Sequence, residues 1–191
     1  MSVRLGLDAS QLLASCAVSI NTEIVASFTM EKPIENFTTL IRKTISQANI
    51  SLNDLNEIVV CIGPGSQTGA RTAVVTGNAL ALALGIPVSG VLSTDAAAVI
   101  APHSEVFNIA VSAGRRRWYV EGYEMNEDKL QRLDKMQLLD DLPEEGQAPF
   151  DGDVNDFEKT CAYGCLVVAE QQRHLIKQSL LSEIVPYERS E

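Results

Sequence analysis

The residues best placed to do chemistry are Gly63-Pro64-Gly65-Ser66-Gln67-Thr68-Gly69-Ala70-Arg71, preceded by the apolar run Ile58-Val59-Val60-Cys61-Ile62. A β-branched strand, a glycine-rich turn and a helix start in that order make an anion cradle, because orphan backbone N–H groups and the helix dipole both favour negative charge. Gly63, Gly65, Ser66 and Thr68 would line it. No Lys-Ser or Lys-Thr follows the glycines, so the P-loop pattern fails, and Thr68 stands where G-x-G-x-x-G needs its third glycine. By spacing alone, a structural turn and a phosphate-contacting loop both fit. A second polar turn, Asp8-Ala9-Ser10, closes the first strand. On its own residues it is an Asx-type turn.

Other constellations are sparse. The only histidines, His103 and His174, have no partner at i+4, so the paired imidazoles that hold a catalytic metal on one helical face are missing. No motif suggests a nucleophile paired with a base. The cysteines are Cys16, Cys61, Cys161 and Cys165. Cys161 and Cys165 are an i, i+4 helical pair rather than C-x-x-C, and buried free thiols are the expectation. Arg115-Arg116-Arg117 with Trp118 is the one dense basic cluster, either a clamp for nucleic acid or a solvated hairpin tip.

These groups need elements to position them. Val3–Asp8 reads as a strand, and Ala14–Ile20 and Glu23–Met30 as a hairpin across the two-residue connection Asn21-Thr22. Pro33 opens an amphipathic helix with Ile34, Phe37, Ile41, Ile45 and Ala48 on one face, widened by Leu40. The glycine-rich turn leads into a helix capped by Ser66 or Thr68 and stopped by Gly85 and Pro87 near Leu84. That helix carries a small stripe, Ala70, Ala73, Gly77, Ala81 and Leu84, while Val74, Val75, Leu80 and Leu82 fill its other sides, so burial against a core or a partner is expected. Ile86–Val91 reads as a strand and Ser93 as the cap of a helix from Thr94 to about Ala101. Pro102-His103-Ser104 is a candidate lobe boundary, dividing 1–102 from a second, shorter lobe, 103–191. Strands follow over Val106–Ser112 and Trp118–Met125, one more within Lys129–Leu142, and a helix from Phe157 to about Leu175.

Net charge is −10 over 191 residues, 46% of them hydrophobic. That balance argues against a free-standing nucleic-acid binder, whose affinity rests on Lys and Arg meeting phosphates. No apolar run is long enough to span a bilayer, and Met1-Ser2-Val3-Arg4 does not read as a leader, so no membrane role and a cytoplasmic location are the expectation.

Gly-Pro-Gly-Ser-x-Thr-Gly-x-Arg, followed by a small-residue helix and Gly-Ile-Pro-Val, resembles the signature of the TsaB (YeaZ) family, the non-catalytic partners in bacterial threonylcarbamoyladenosine (t6A) synthesis on tRNA. The resemblance is tight from Ile58 to Val91 and loose after Gly146. It implies an α/β actin-like ATPase (ASKHA, RNase H-like) fold, two lobes each with a mixed sheet flanked by helices. In that superfamily the first Asp turn faces nucleotide phosphate and metal, so the resemblance puts Asp8 and Ser10 beside Gly63, Gly65, Ser66 and Thr68 at a possible ATP or ADP with Mg2+. No cofactor is implied as required by this chain.

Partners implied are a TsaD-like catalytic paralogue and a TsaE-like P-loop ATPase, with tRNA reached indirectly and a homodimer formed when the chain is alone. The implied interface is the two first-lobe helices: Phe37, Leu40, Ile41, Ile45, Ala70, Arg71, Ala73, Val74, Gly77 and Ala81. The sequence departs from the family at several positions. Ala9 replaces a threonine, Glu35-Asn36-Phe37 a His-Ser pair, and Ser112-Ala113-Gly114-Arg115 keeps the alanine of the family's Asp-Ala-Arg hairpin but loses the acid. Asp153 within Phe150–Val154 replaces a glycine, and Pro186-Tyr187-Glu188-Arg189 shortens the terminal segment. A residual actin-like kinase or ATPase, with Asp8 on Mg2+, is the alternative. A self-associating dimer without activity is another.

Overall fold

The strand at Val3–Asp8 is flanked by two others that pair with it in opposite senses. In the computed structural model, which describes residues 1–31, 33–101, 105–127, 129–133, 135–142, 146–147 and 160–179, β1 (Val3–Asp8) runs antiparallel to β2 (Ala14–Ile20) and parallel to β4 (Glu57–Cys61). β3 (Glu23–Met30) continues the hairpin across Asn21, whose positive φ of 58° suits a two-residue turn. β5 (Val88–Val91) lies parallel to β4. The resulting order is β11-β5-β4-β1-β2-β3, with β11 (Lys177–Ser179) antiparallel on the far edge.

Alternation along β4 assigns the two faces of this sheet. Ile58 and Val60 join a core with α1 (Pro33–Gln47) and α2 (Gln67–Leu84), whereas Val59 and Cys61 join a separate core with α4 (Cys161–Gln171). A sheet covered on both faces needs strands apolar on both sides, and β1, β4 and β5 are buried throughout. The second sheet, β10-β6-β7-β8, is built from β6 (Val106–Gly114), β7 (Arg117–Asn126), β8 (Lys129–Arg132) and β10 (Gly146–Gln147), with β9 (Gln137–Leu139) also on β7. The segment Lys129–Leu142 thus holds two strands rather than one. α3 (Ser93–Ala98) seats Ala97 and Ala98 against Phe107, Ile109, Val111, Tyr123 and Leu130 of this sheet.

Two expectations change. Ser93 is not a cap: it is helical itself, and its Oγ donates to Pro64 O at 2.6 Å. α4 and β11, expected in a second lobe by chain order, pack on the first sheet, so the boundary at 102/103 does not describe where residues 160–179 lie. Pro102–Ser104 itself, the Phe150–Val154 turn and the Ile184–Arg189 segment fall outside the described residues.

A buried ion cluster ties the chain's return to β1 and β4. Arg4 Nε donates to Glu57 Oε2 at 2.8 Å, Arg173 Nη2 donates to the same oxygen at 3.1 Å, and Ser89 Oγ donates to Glu57 Oε1 at 2.6 Å. Arg4 also pairs with Glu170 of α4. Burial alone would raise the Glu57 carboxyl, but the bonds from Ser89 and Arg4 and the two guanidinium charges hold it below its ordinary value of 4.5. A depressed carboxylate contributes stability that is present above its unfolded pKa and lost as pH falls through its folded one. Glu57→Gln should therefore cost about 2–3 kcal/mol at neutral pH by leaving Arg4 buried and under-paired. It should also flatten the loss of stability below about pH 4.5. Chemical denaturation at pH 7 and pH 4 reads both effects.

Candidate functional site

The Asp8 turn and the glycine-rich turn do come together, and they close on each other. Ser10 N–H and Ser10 Oγ–H donate to Asp8 Oδ1 at 2.8 and 2.6 Å. Ser66 N–H donates to Ser10 O at 2.7 Å, and Gln11 Nε2 bridges Ser10 Oγ at 2.9 Å and Pro64 O at 3.2 Å. On the other side Ser93 N–H donates to Gly63 O at 2.8 Å. The Gly63–Pro64 peptide is cis. Gly65 has φ 151°, and a Cβ there would strike Ser10 O. At Gly69 a Cβ would stand on the Ala9 carbonyl, 2.7 Å from its carbon and nearer its oxygen. The start of α2 is capped from within, since Ser66 Oγ accepts from Gly69 N–H at 3.2 Å.

This geometry does not fit a nucleotide. Asp8 is fully buried, and burial, then the neighbouring Cys61, push its carboxyl well above the usual 3.8. Buried and bonded to Ser10, the Asp8 carboxyl is closed off from a Mg2+ ion on an outside phosphate. Backbone already fills the space an anion would take between the Asp8 turn and α2. Of the cradle residues only Ser66 and Thr68 have exposed side chains, and Ser66 is spent on the cap. The turn is structural.

The residues expected at a partner are almost all covered by the chain itself. Phe37, Leu40, Ile41, Ile45, Ala70, Ala73, Val74, Gly77 and Ala81 are all buried within this chain; of the ten expected at a partner, only Arg71 is exposed. The small stripe of α2 faces β4, where the branched side chains of Ile58 and Val60 occupy the room that glycine and alanine leave. A Cβ on Gly77 would collide with Val60 Cγ2 and reach Ile58 Cγ2 at 3.6 Å. Gly77→Leu should accordingly act on the fold, lowering stability by about 2–3 kcal/mol through overpacking. A thermal melt within a degree or two of native would contradict that placement.

What the helices leave open is a different set of side chains. A largely apolar groove of about 520 Å³ lies between α1, α2 and the connection after α1, lined by Thr38, Arg42, Ile50, Leu52, Thr76 and Leu80, with Ile41 and Ile45 at its sides. Val75 and Leu82, 66% and 71% exposed, are further apolar side chains of α2, outside the groove's lining. The i, i+4 pairs Thr38/Arg42 and Thr76/Leu80 were the available signal, masked because neither is wholly apolar. Arg115 and Arg116 form the exposed tip of the β6–β7 hairpin, with φ of 53° and 62°. His174 Nε2 bonds Leu130 O at 2.8 Å, a structural contact, and His103 lies outside the described residues. All four cysteines are free and buried, and burial pushes the Cys16 and Cys61 thiols up to about 12. Among the described residues no helix is long and apolar enough to cross a membrane.

YeaZ from Pseudomonas aeruginosa superposes with a TM-score of 0.77 over 99% of this chain and 100% of its own, at 19% identity, so the two share one α/β fold. The family model described as TsaD, tRNA N6-adenosine threonylcarbamoyltransferase, matches residues 18–161. The chain belongs to the TsaD/YeaZ-like family. Within that family it is 28% identical over 142 residues to a tRNA N6-adenosine threonylcarbamoyltransferase of Geotalea uraniireducens (strain Rf4), covering 67% of this chain and 41% of the relative. It is 36% identical over 63 residues to the tRNA threonylcarbamoyladenosine biosynthesis protein TsaB of Bacillus subtilis (strain 168), 33% of this chain and 28% of that one. The TsaB of Buchnera aphidicola subsp. Schizaphis graminum (strain Sg) is 38% identical over 52 residues, 27% and 25% of the two chains. The matches thus span about two-fifths of the TsaD relative's length and less than a third of either TsaB's.

Proposed function

We propose that this chain is a non-catalytic scaffold subunit of cytoplasmic t6A synthesis on tRNA. It binds a TsaD-like catalytic paralogue, works alongside a TsaE-like ATPase, and meets tRNA only through the complex. The observation that carries the reading is the pairing of a sealed Asp8 junction with an open apolar groove on α1 and α2. An actin-like member that has closed its phosphate loop on its own backbone keeps the surface through which two such chains can pack. Affinity would come from burying the groove and the exposed α2 side chains, about 25 cal/mol for each Å² of apolar surface removed from water, less the cost of association. In the absence of the paralogue a second copy fills the same groove, giving a homodimer. ATP or ADP and Mg2+ belong to the other subunits.

The test is reconstitution. The paralogue and the ATPase are supplied with threonylcarbamoyl-adenylate, ATP and unmodified tRNA, with and without this chain, and t6A is measured by mass spectrometry of digested tRNA. Modification should depend on the chain, and the chain alone should neither modify tRNA nor hydrolyse ATP. ATP turnover by the pure chain, abolished by Asp8→Ala, would instead support the kinase-like alternative.

A further inference from the structure

The return of α4 to the first sheet brings two of its thiols to a third that lies about 100 residues earlier in sequence. Cys61 ends β4, while Cys161 and Cys165 share one face of the first turns of α4. Their Sγ atoms all lie within 4.8 Å of one another, and all three residues are buried. Asp8 adjoins the same cluster: it interacts electrostatically with Cys61, and Ser10, which holds its Oδ1, has its Oγ 3.4 Å from Cys61 Sγ. The other carboxylate oxygen, Asp8 Oδ2, is buried with no hydrogen-bond partner among the described residues.

A polar oxygen left unpaired in a core is costly and calls for a partner. Three soft sulfurs beside a hard anionic oxygen, enclosed on all sides, are the ligand chemistry of a structural zinc ion rather than of an oxygen-loving cation.

We propose that Cys61, Cys161 and Cys165 bind one zinc ion, with Asp8 Oδ2 as the fourth ligand. Sulfurs around a tetrahedral zinc, each bound at about 2.3 Å, stand roughly 3.8 Å apart, so the three sulfurs need only a small contraction, while Asp8 Oδ2 lies outside that 4.8 Å group and must close in on it. Each thiol releases its proton to solvent as its thiolate binds, and Asp8 binds as the carboxylate. A divalent ion offsets two of the four anionic charges, which a monovalent copper ion would not. The ion enters as α4 docks, and it then fastens α4 to the ends of β4 and β1. Cys16, on β2 in the opposite core, takes no part.

The experiment uses the full chain, reduced, stripped with chelator and titrated with zinc alone, with cobalt as a spectroscopic stand-in. The expected result is about one tightly held zinc per chain, a higher melting temperature with zinc than with chelator, and a thiolate-to-cobalt charge-transfer band. Outer-shell changes alone cost zinc sites about 10–100-fold in affinity, so loss of a ligand in Cys165→Ser should cost roughly 100-fold or more. Asp8→Asn should weaken binding while keeping the band, and Cys16→Ser should leave the zinc affinity and the band unchanged. Should Cys165→Ser fail to fold, the native chain decides. Absence of the charge-transfer band and of any zinc-dependent melting shift overturns the site, as does zinc that Cys61→Ser and Cys161→Ser retain at full affinity.

Discussion

Gly69→Ala should be the most damaging single-methyl change in this chain, costing about 4 kcal/mol or more. The added carbon has no rotamer with which to avoid the Ala9 carbonyl, 2.7 Å away at its carbon and closer at its oxygen. Both partners are backbone, held by the Ser66–Ser10 and Asp8–Ser10 bonds, so relief means separating α2 from β1. Losses of that size come from a short set of mechanisms, overpacking of a buried junction among them. For a chain of this length the melting temperature should drop by roughly 8–16 °C. Gly85→Ala is the matched control. Gly85 has φ 67° but nothing within 4 Å of its missing Cβ, so only backbone strain of about 1 kcal/mol is expected. Equal melting of the two variants would mean that the Asp8 junction is not sealed as described.

Thr76→Arg should separate assembly from folding. Thr76 is half-buried on the open side of α2, one turn before Leu80, and a long cation there fills the groove without entering the core. Burying an unpaired guanidinium against Ile41, Ile45 and Leu80 upon docking is strongly unfavourable. We expect the affinity for the catalytic paralogue to fall by about 100-fold or more, close to 3 kcal/mol, with the melting temperature unchanged. Calorimetric titration beside a thermal melt reads both. Native affinity in Thr76→Arg would remove the groove from the interface. Gly77→Leu, one residue further along the helix, should do the reverse and weaken the fold, because its neighbour is β4 rather than a partner.

The contrast between residues 76 and 77 shows where the sequence stops being informative. Hairpin β2–β3 and the limits of α2 follow from local chemistry: a two-residue turn at Asn21-Thr22, the Ser66 cap, and the left-handed Gly85. Which side of α2 faces inward does not. A run of glycine and alanine permits close approach by anything, and only the pairing of β4 with β1 puts Val60 and Ile58 beneath it. Ser93 offers the same lesson, since a serine ahead of a helical run suits a cap until Pro64 O is brought to its hydroxyl. The cysteine trio is the extreme case. Cys161 and Cys165 are neighbours by helical periodicity, but Cys61 joins them through a contact spanning 100 residues. The fold family was legible because its signature lies in one contiguous stretch; the groove was not, because its lining comes from three elements.

The central claim, that this chain functions by docking rather than by chemistry of its own, is tested most directly by mixing the purified chain with the proposed TsaD-like paralogue and measuring mass by size-exclusion chromatography with light scattering. The expected species at micromolar concentration is a one-to-one complex, formed without added nucleotide, that replaces the homodimer of the chain alone. Two separate peaks at the masses of the unmixed proteins, persisting at concentrations of roughly 100 μM, would contradict the account, since they would bound any association at about 5 kcal/mol.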